Sequence, residues 1–255
     1  MKTSLQLSFV SLLIFLTGCV SQQVPVPLEQ SFYDSDNKTV GLILEVPVVP
    51  TLSFEGNIGL LDYAIISAAT APISKHLETL DTQEFVAISE DLSHSLEVEG
   101  FNLVRLENSE KKLKLSKFKD PDTKDTTYFA KKDYRGYAEE HQIDYLLKLT
   151  ANRVGLARPY YGFIPTDSPR AVFNITGEMI DLSSNQLLWY SNIIQTAYAA
   201  GEWDEAPSYP GLTNTYYIVM NNAKQNILTA LAKNGAEDNI LPTEANSDMP
   251  LSEQE

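Results

Sequence analysis

Few residues of this chain have the type and spacing needed for acid–base, nucleophilic or metal chemistry. The three histidines, His76, His94 and His141, are far apart and lack the four-residue spacing that binds zinc on one helix. The sequence contains neither the G-x-S-x-G segment of a serine nucleophile nor a glycine-rich phosphate-binding loop. Neighbouring acids such as Asp204 and Glu205 are common in so acidic a chain. We therefore predict no catalytic residue, no metal site and no cofactor, and hence no enzyme.

Cys19 is the only cysteine among 255 residues, and it closes the segment Leu16-Thr17-Gly18-Cys19. Lys2 provides a positive start, and the apolar run that follows is shorter than the roughly 20 residues of a membrane-spanning helix. This pattern is typical of a secretory signal peptide. We interpret residues 1–18 as a signal peptide.

The segment that ends at Cys19 resembles the lipobox of bacterial lipoproteins. The resemblance implies that the Cys19 sulfur receives a diacylglyceryl group and that the new amino terminus is acylated, for example with palmitate. Each buried CH2 group then contributes about 0.8 kcal/mol to membrane anchoring. Because Val20 and not an aspartate follows the cysteine, the resemblance also implies the periplasmic face of the outer membrane. The alternative is an ordinary signal peptide with an unrelated cysteine.

Composition limits the partners of the chain. Its net charge of −15 argues against nucleic acid and against peripheral adsorption on anionic lipid. With Cys19 lipidated, no thiol remains for a disulfide, so a core drawn from the 43% hydrophobic residues must suffice. We predict a flexible tether over residues 19–38, a single α+β periplasmic domain over 39–233, and a disordered acidic tail over 234–255.

The first half of the domain predicts strands and helices in alternation. We expect strands over residues 39–49 and 101–106 and a helix over 58–80 that Pro72 divides. The first part of this helix is apolar on nearly every side, which predicts burial; a subunit interface of a homo-oligomer is the alternative. A second helix follows a capping box at Asp81 and Glu84 and ends near Gly100. The lysine-rich residues 107–132 predict a solvated surface loop, with anionic lipid or peptidoglycan as alternative contacts.

The second half carries period-two alternation of apolar and polar residues over 145–152, 171–179 and 187–194. This pattern predicts a C-terminal antiparallel three-strand meander, with a tight turn over 181–186. A last helix over 214–233 has its apolar residues on one face: Tyr216, Met220, Ala223, Ile227 and Leu231. We predict an α+β two-layer sandwich, with a mixed sheet and helices on one face.

The order of these elements over residues 39–233 resembles a fold shared by several envelope lipoproteins. They include penicillin-binding-protein activators, the curli-secretion channel lipoprotein and the amino-terminal domain of TolB. The resemblance implies an accessory protein of the cell envelope that acts through protein–protein contacts. It brings no catalytic residue to this chain.

Two aromatic segments are the candidate partner-binding sites. Residues 157–169 are expected to link two strands as a long loop, and residues 201–211 follow the third strand. In an up-down-up meander both segments lie at the same end of the sheet. Aromatic rings beside arginine have the composition of an interface hot spot, and the candidates are Arg158, Tyr160, Tyr161, Phe163, Trp203 and Tyr209.

An envelope protein is the predicted partner of these rings. Aromatic rings also stack on sugars, so a peptidoglycan-binding protein or a cell-wall hydrolase is the alternative function. A third interpretation is that the rings fold back as a small core beneath their loops.

The lipobox assignment depends on one sulfur atom. We expect Cys19→Ser to give an unprocessed or soluble species, because the acceptor of the diacylglyceryl group is gone. Membrane flotation of wild type and variant measures this, and identical fractionation of the two proteins would contradict the assignment.

Overall fold

A computed structural model of the protein describes residues 23–35, 37–106, 115–119 and 127–233. The predicted signal peptide, Cys19 and the acidic tail lie outside these residues and stay predictions. The described chain starts with a 3-10 turn (Gln30–Asp34) and strands β1 (Thr39–Glu45) and β2 (Thr51–Asn57). The remaining elements, in chain order, are α1 (Leu60–Ala69), α2 (Ala71–Leu77), α3 (Gln83–Val86), α4 (Ile88–Val98), β3 (Asn102–Arg105), α5 (Gly136–His141), β4 (Tyr145–Tyr161), β5 (Ile164–Pro165), β6 (Arg170–Asp181), β7 (Gln186–Tyr198) and α6 (Pro210–Ala230).

The strands form one mixed sheet in the order β3-β1-β4-β6-β7. β1 pairs in parallel with β3 and β4, whereas β4, β6 and β7 form the predicted antiparallel meander. β2 pairs in parallel with the second half of β4, beyond the part that β1 occupies. The predicted α+β class with helices on a mixed sheet is therefore confirmed.

The main core lies between one face of the sheet and helices α2, α3, α4 and α6. All five residues of the apolar stripe predicted for the last helix are buried there. A smaller cluster covers the start of β4 on the opposite face, where α5 and the residues before it pack on the sheet. The rest of that face is polar, which matches the alternation of the meander.

Asn185 fixes the segment that covers this smaller cluster. It is fully buried and has a φ of 67°, a conformation that asparagine tolerates. Its side-chain amide donates to the carbonyl oxygens of Ala130 and Lys132 at 3.1 and 3.0 Å, and its Oδ1 accepts the Tyr134 N–H at 2.9 Å. The hairpin turn between β6 and β7 thus holds residues 130–134 against the end of the sheet.

β2 and the length of β4 differ from the sequence-based expectations. The sequence predicts neither a strand nor a helix over residues 51–57, and it predicts a long connection over residues 157–169. Instead β4 continues for 17 residues to Tyr161 and pairs with β2 along its second half. Gly155, with a φ of 131°, permits this, because a Cβ there would lie 2.1 Å from the Thr51 carbonyl oxygen.

The expected flexible tether over residues 19–38 is wrong for residues 23–35, which pack on the domain. Leu28, Phe32 and Tyr33 are buried, and the Tyr33 hydroxyl donates to the Leu231 carbonyl oxygen at 2.5 Å. Val26 forms a bridge with Tyr190 on the outer edge of β7. Pro25 and Pro27 of this segment are compatible with an extended backbone that covers an edge strand.

The register of β6 can be tested with two neighbouring residues. Phe173 is fully buried beneath Phe85, whereas Asn174 lies on the other face. We expect Phe173→Ala to lower the free energy of unfolding by roughly 3–5 kcal/mol, since it leaves a cavity in the main core. Asn174→Ala is the control, and equal shifts of the denaturant midpoint in the two variants would contradict the register.

Candidate functional site

The far end of β4 brings β2, α1 and the β4–β5 hairpin together. The Gly162 N–H donates to the Asn57 carbonyl oxygen at 3.1 Å. Gly56 has a φ of 107°, and a Cβ there would lie 2.1 Å from the Tyr160 carbonyl oxygen, so only glycine allows the two strands this approach. α1 begins three residues after β2 and is therefore held beside the hairpin tip.

Three aromatic rings, those of Phe54, Tyr63 and Tyr160, pack together at this end of the sheet. The Phe54 ring contacts the ring of Tyr63 on α1 at 5.4 Å between centroids and the ring of Tyr160 on β4 at 5.7 Å, both edge-on. Tyr160 is buried, at 5% exposure. The prediction that Tyr160 lies on a binding surface is thus contradicted, because alternation along β4 turns its ring inward and that of Tyr161 outward.

The outer surface of the same end is apolar. Leu60 is 91% exposed, Leu61 75% and Tyr161 72%. Monomeric soluble proteins rarely expose so many large apolar side chains in one contiguous patch. We call this surface the apolar end, and it comprises Leu60, Leu61, Tyr63, Ile65, Tyr161, Phe163 and Ile164.

The expectation that α1 is buried is wrong. Among its large apolar side chains only Ile66 is buried against the domain, and the alanines at 64, 68 and 69 are also exposed. Asp62 is the single charged residue of this helix, and its carboxylate accepts the Gly59 N–H at 3.0 Å at the helix start. A helix that is apolar all round demands burial, but the sequence does not say whether its own domain or another molecule provides it.

The loop after β7 meets the hairpin through Arg158. The Arg158 guanidinium lies 4.8 Å from the centre of the Trp203 ring and 5.8 Å from that of Tyr160, within cation–π range. Its Nε donates to the Asp167 carbonyl oxygen at 3.0 Å. The two aromatic segments therefore lie at one end of the sheet, as expected. The Arg158 side chain is half-buried, and its contacts are with groups of its own chain.

Tyr209 and Trp203 are half-buried and pack against the main core. The Tyr209 ring lies 5.4 Å from that of His76 on α2. Of the six residues proposed from the sequence, Tyr161 and Phe163 are exposed at the apolar end. The sequence analysis did not identify five residues of the apolar end: Leu60, Leu61, Tyr63, Ile65 and Ile164. The first four lie on α1, and the fact that this helix has a single charged residue could have indicated them.

Charge pairs brace the polar face behind the apolar end. Glu55 of β2 pairs with Arg153 of β4 at 2.7 Å and with Arg170 of β6 at 2.5 Å. Burial alone would raise the pKa of Glu55, but the hydrogen bonds from the two arginines lower it below its ordinary value. Glu55 thus stays ionised at neutral pH and links three strands where α1 departs from the sheet.

All three histidines are within the residues that the structure describes. The three histidines lie on three different helices, and the Nε2 of His76 is 2.7 Å from the Thr213 hydroxyl. Burial lowers the pKa of His76, so it is neutral at pH 7. Within the ranges that the structure describes, no three or more His, Cys, Asp or Glu residues form a group able to hold a metal ion.

No protein-family model and no curated protein matches this sequence. Solved structures similar to the chain include a putative neuraminyllactose-binding hemagglutinin homolog from Helicobacter pylori, at 13% identity and a TM-score of 0.35 over 88% of this chain and 93% of that one. They also include the lipoprotein GNA1162 from Neisseria meningitidis, at 11% identity and a TM-score of 0.29 over 74% and 99%. The PelC dodecamer from Paraburkholderia phytofirmans matches at 12% identity and a TM-score of 0.27 over 81% and 96%.

Bacterial lipoproteins are thus among the structural neighbours, but at TM-scores below 0.5 these similarities support no functional conclusion. None of the described helices combines the length and the apolar character needed to span a bilayer.

Two adjacent tyrosines test which rings support the site and which are free. We expect Tyr160→Ala to lower the free energy of unfolding by about 3 kcal/mol, because the ring is buried against Phe54. Tyr161→Ala should change it by less than about 0.5 kcal/mol, because that ring is in water. Chemical denaturation of both variants measures the difference, and equal losses would contradict the orientation of the hairpin tip.

Proposed function

We propose that this chain is a lipid-anchored, non-catalytic accessory protein of the cell envelope that binds another envelope protein through the apolar end. The observation that carries the proposal is the exposure of α1, a ten-residue helix whose large apolar side chains, except Ile66, are open to solvent. The lipobox at Cys19 supports the location on the periplasmic face of the outer membrane.

Burial of the apolar end would release substantial free energy. Transfer of one leucine side chain from water to an apolar contact contributes about 1.5–3 kcal/mol. Leu61 and Ile65 lie one helical turn apart, next to the row of Leu60, Ala64 and Ala68. Such a pair of rows fits an apolar groove or a second helix of a partner protein, with the ring of Tyr161 beside it.

The N-terminal segment and the apolar end are far apart, so a protein and not the anchoring bilayer is the expected partner of this surface. Val26 bridges to Tyr190, which is in register with Glu178, and Glu178 is in register with Lys148 of β4. Lys148 precedes Tyr161 by 13 residues of the same strand, which corresponds to about 40 Å at the usual rise. The N-terminal segment that leads to Cys19 therefore leaves the domain far from the apolar end.

The alternative function is binding or hydrolysis of cell-wall glycan. The exposed ring of Tyr161 favours it, since aromatic faces stack on sugars. The surrounding leucines and isoleucines favour a protein partner, because sugar-binding surfaces need polar groups that pair with hydroxyls.

A site-specific crosslinking experiment tests the proposed function. A photoreactive amino acid at position 61 should crosslink a defined envelope protein in living cells, whereas one at Val98, which is equally exposed on α4, should not. Leu61→Gln and Tyr161→Ala should each weaken capture of that protein by about 2 kcal/mol or more if they are hot spots. Val98→Gln is the matched control, and thermal unfolding of all three variants should stay near that of wild type.

The other outcomes decide against the proposal. Crosslinks from position 61 to the chain itself, with a larger mass in sedimentation, would make a homo-oligomer the occupant. Cosedimentation with purified peptidoglycan that Tyr161→Ala abolishes would favour the glycan-binding alternative. Equal capture by Leu61→Gln and wild type would remove the apolar end as the binding surface.

A further inference from the structure

We propose that a lysine-bearing surface beside the N-terminal segment binds the anionic phospholipid headgroups of the anchoring membrane, and so holds the apolar end away from the bilayer. We call this surface the lysine face, and it consists of the exposed residues Lys117 and Lys119. The inference rests on the proposed lipid anchor at Cys19. It adds a second contact and a defined orientation to that anchor.

Local backbone structure directs these lysines outward. Lys117 bridges to Lys132 in antiparallel fashion, and the Phe118 N–H donates to the Lys131 carbonyl oxygen at 3.0 Å. Phe118 is buried and its ring stacks on that of Phe129 at 5.2 Å. Because side chains alternate along extended chain, burial of Phe118 places Lys117 and Lys119 on the opposite, solvent side.

The lysine face is fixed to the end of the sheet that is opposite the apolar end. Phe129 bridges to Gln186, which is in register with Asp181, and Asp181 is in register with Tyr145, the first residue of β4. Asn185 holds the following residues through the hydrogen bonds described above. The whole length of β4 therefore separates the lysine face from Tyr161.

The chain that leads to the lipid passes the same place. The Gln23 side-chain amide donates to the Thr127 carbonyl oxygen, four residues before Lys131. Gln23 is four residues after Cys19, so an extended chain places the two at most about 14 Å apart. Once Cys19 is lipidated, this end of the domain is kept at the headgroup layer, within reach of long lysine side chains.

Charge distribution makes this contact selective in orientation. Residues 111–132 hold eight lysines and three aspartates, which is a net charge of +5. The rest of the chain therefore carries a net charge of −20, because the whole chain carries −15. Acids at this end of the domain include Asp133, which pairs with Arg135 at 2.7 Å, and Glu29 and Asp181, which lie near Tyr128. An anionic surface attracts the lysine face and repels the remainder of the molecule, and each lysine near it strengthens association roughly five-fold.

Amine acylation of the lipidated protein on vesicles tests the orientation. The probe membranes are phosphatidylcholine vesicles with and without about one-third phosphatidylglycerol, and the lipid on Cys19 should attach the protein equally to both. We expect phosphatidylglycerol to slow acylation of Lys117 and Lys119 at least three-fold, as read by mass spectrometry. Lys75, exposed on α2, should react at one rate on both vesicles. The protection should fade at high salt, because screening weakens exposed charge contacts.

Charge reversal at single sites provides the matched control. Lys117→Glu should restore acylation of Lys119 on phosphatidylglycerol, whereas Lys75→Glu, an equal change of charge elsewhere, should not. Equal acylation on both vesicles, or equal protection of Lys75, would overturn the lysine face while leaving the anchor intact.

Failure of the anchor gives a different result. A protein that does not float with phosphatidylcholine vesicles lacks the membrane attachment of the proposed function. Flotation with phosphatidylglycerol vesicles then decides the inference on its own. Salt-sensitive flotation that Lys117→Glu abolishes would support the lysine face, and no flotation would overturn it.

Discussion

The uninterrupted pairing of β4 is the constraint on which the rest of the structure depends. This strand pairs with β1 over its first half, with β2 over its second half, and with β6 along nearly its whole length. A register shift near Ala151 and the left-handed φ of Gly155 let one strand accept two successive parallel partners on one edge. Loss of the second pairing would release β2 and, with it, the helix that follows.

β4 also separates two surfaces of opposite character. At its start, the N-terminal segment, the β6–β7 turn and the lysine-bearing strand pair cover the sheet. At its end, the hairpin tip and α1 present leucine, isoleucine and tyrosine to water. Because residues 23–35 lie against the domain, a lipid at Cys19 would hold the first of these surfaces near a membrane and direct the second away from it.

The exposed apolar helix is tolerated because it is small and tightly supported. Ile66 and the Phe54–Tyr63 ring contact attach it to the sheet, and the carboxylate of Asp62 satisfies a backbone donor at its start. The net charge of −15 makes molecules of this protein repel one another in solution. The surface therefore remains accessible to a partner, although uncovered apolar patches favour non-specific association.

Local patterns in the sequence determined much of the fold. Period-two alternation located β6 and β7 and placed Phe173 inside, because alternation of side chains needs no knowledge of the rest of the chain. The stripe of α6 and the division of the helix near Pro72 were predicted for the same reason. The segment that resembles a lipobox is also a local signal, and because Cys19 lies outside the described residues its lipidation stays a prediction.

The tertiary structure alone decided where the exposed surface lies. β2 forms because residues about 100 positions away provide its partner. Polar and apolar residues alternate over 51–55, but this run is short, and Pro50 before it and Gly56 inside it are typical of a loop. Tyr160 and Tyr161 are identical residues side by side, and only the direction of β4 at that point buries one and exposes the other. The apolar character of α1 predicts that the helix is buried. Whether its own domain buries it depends on long-range packing, which no local pattern contains.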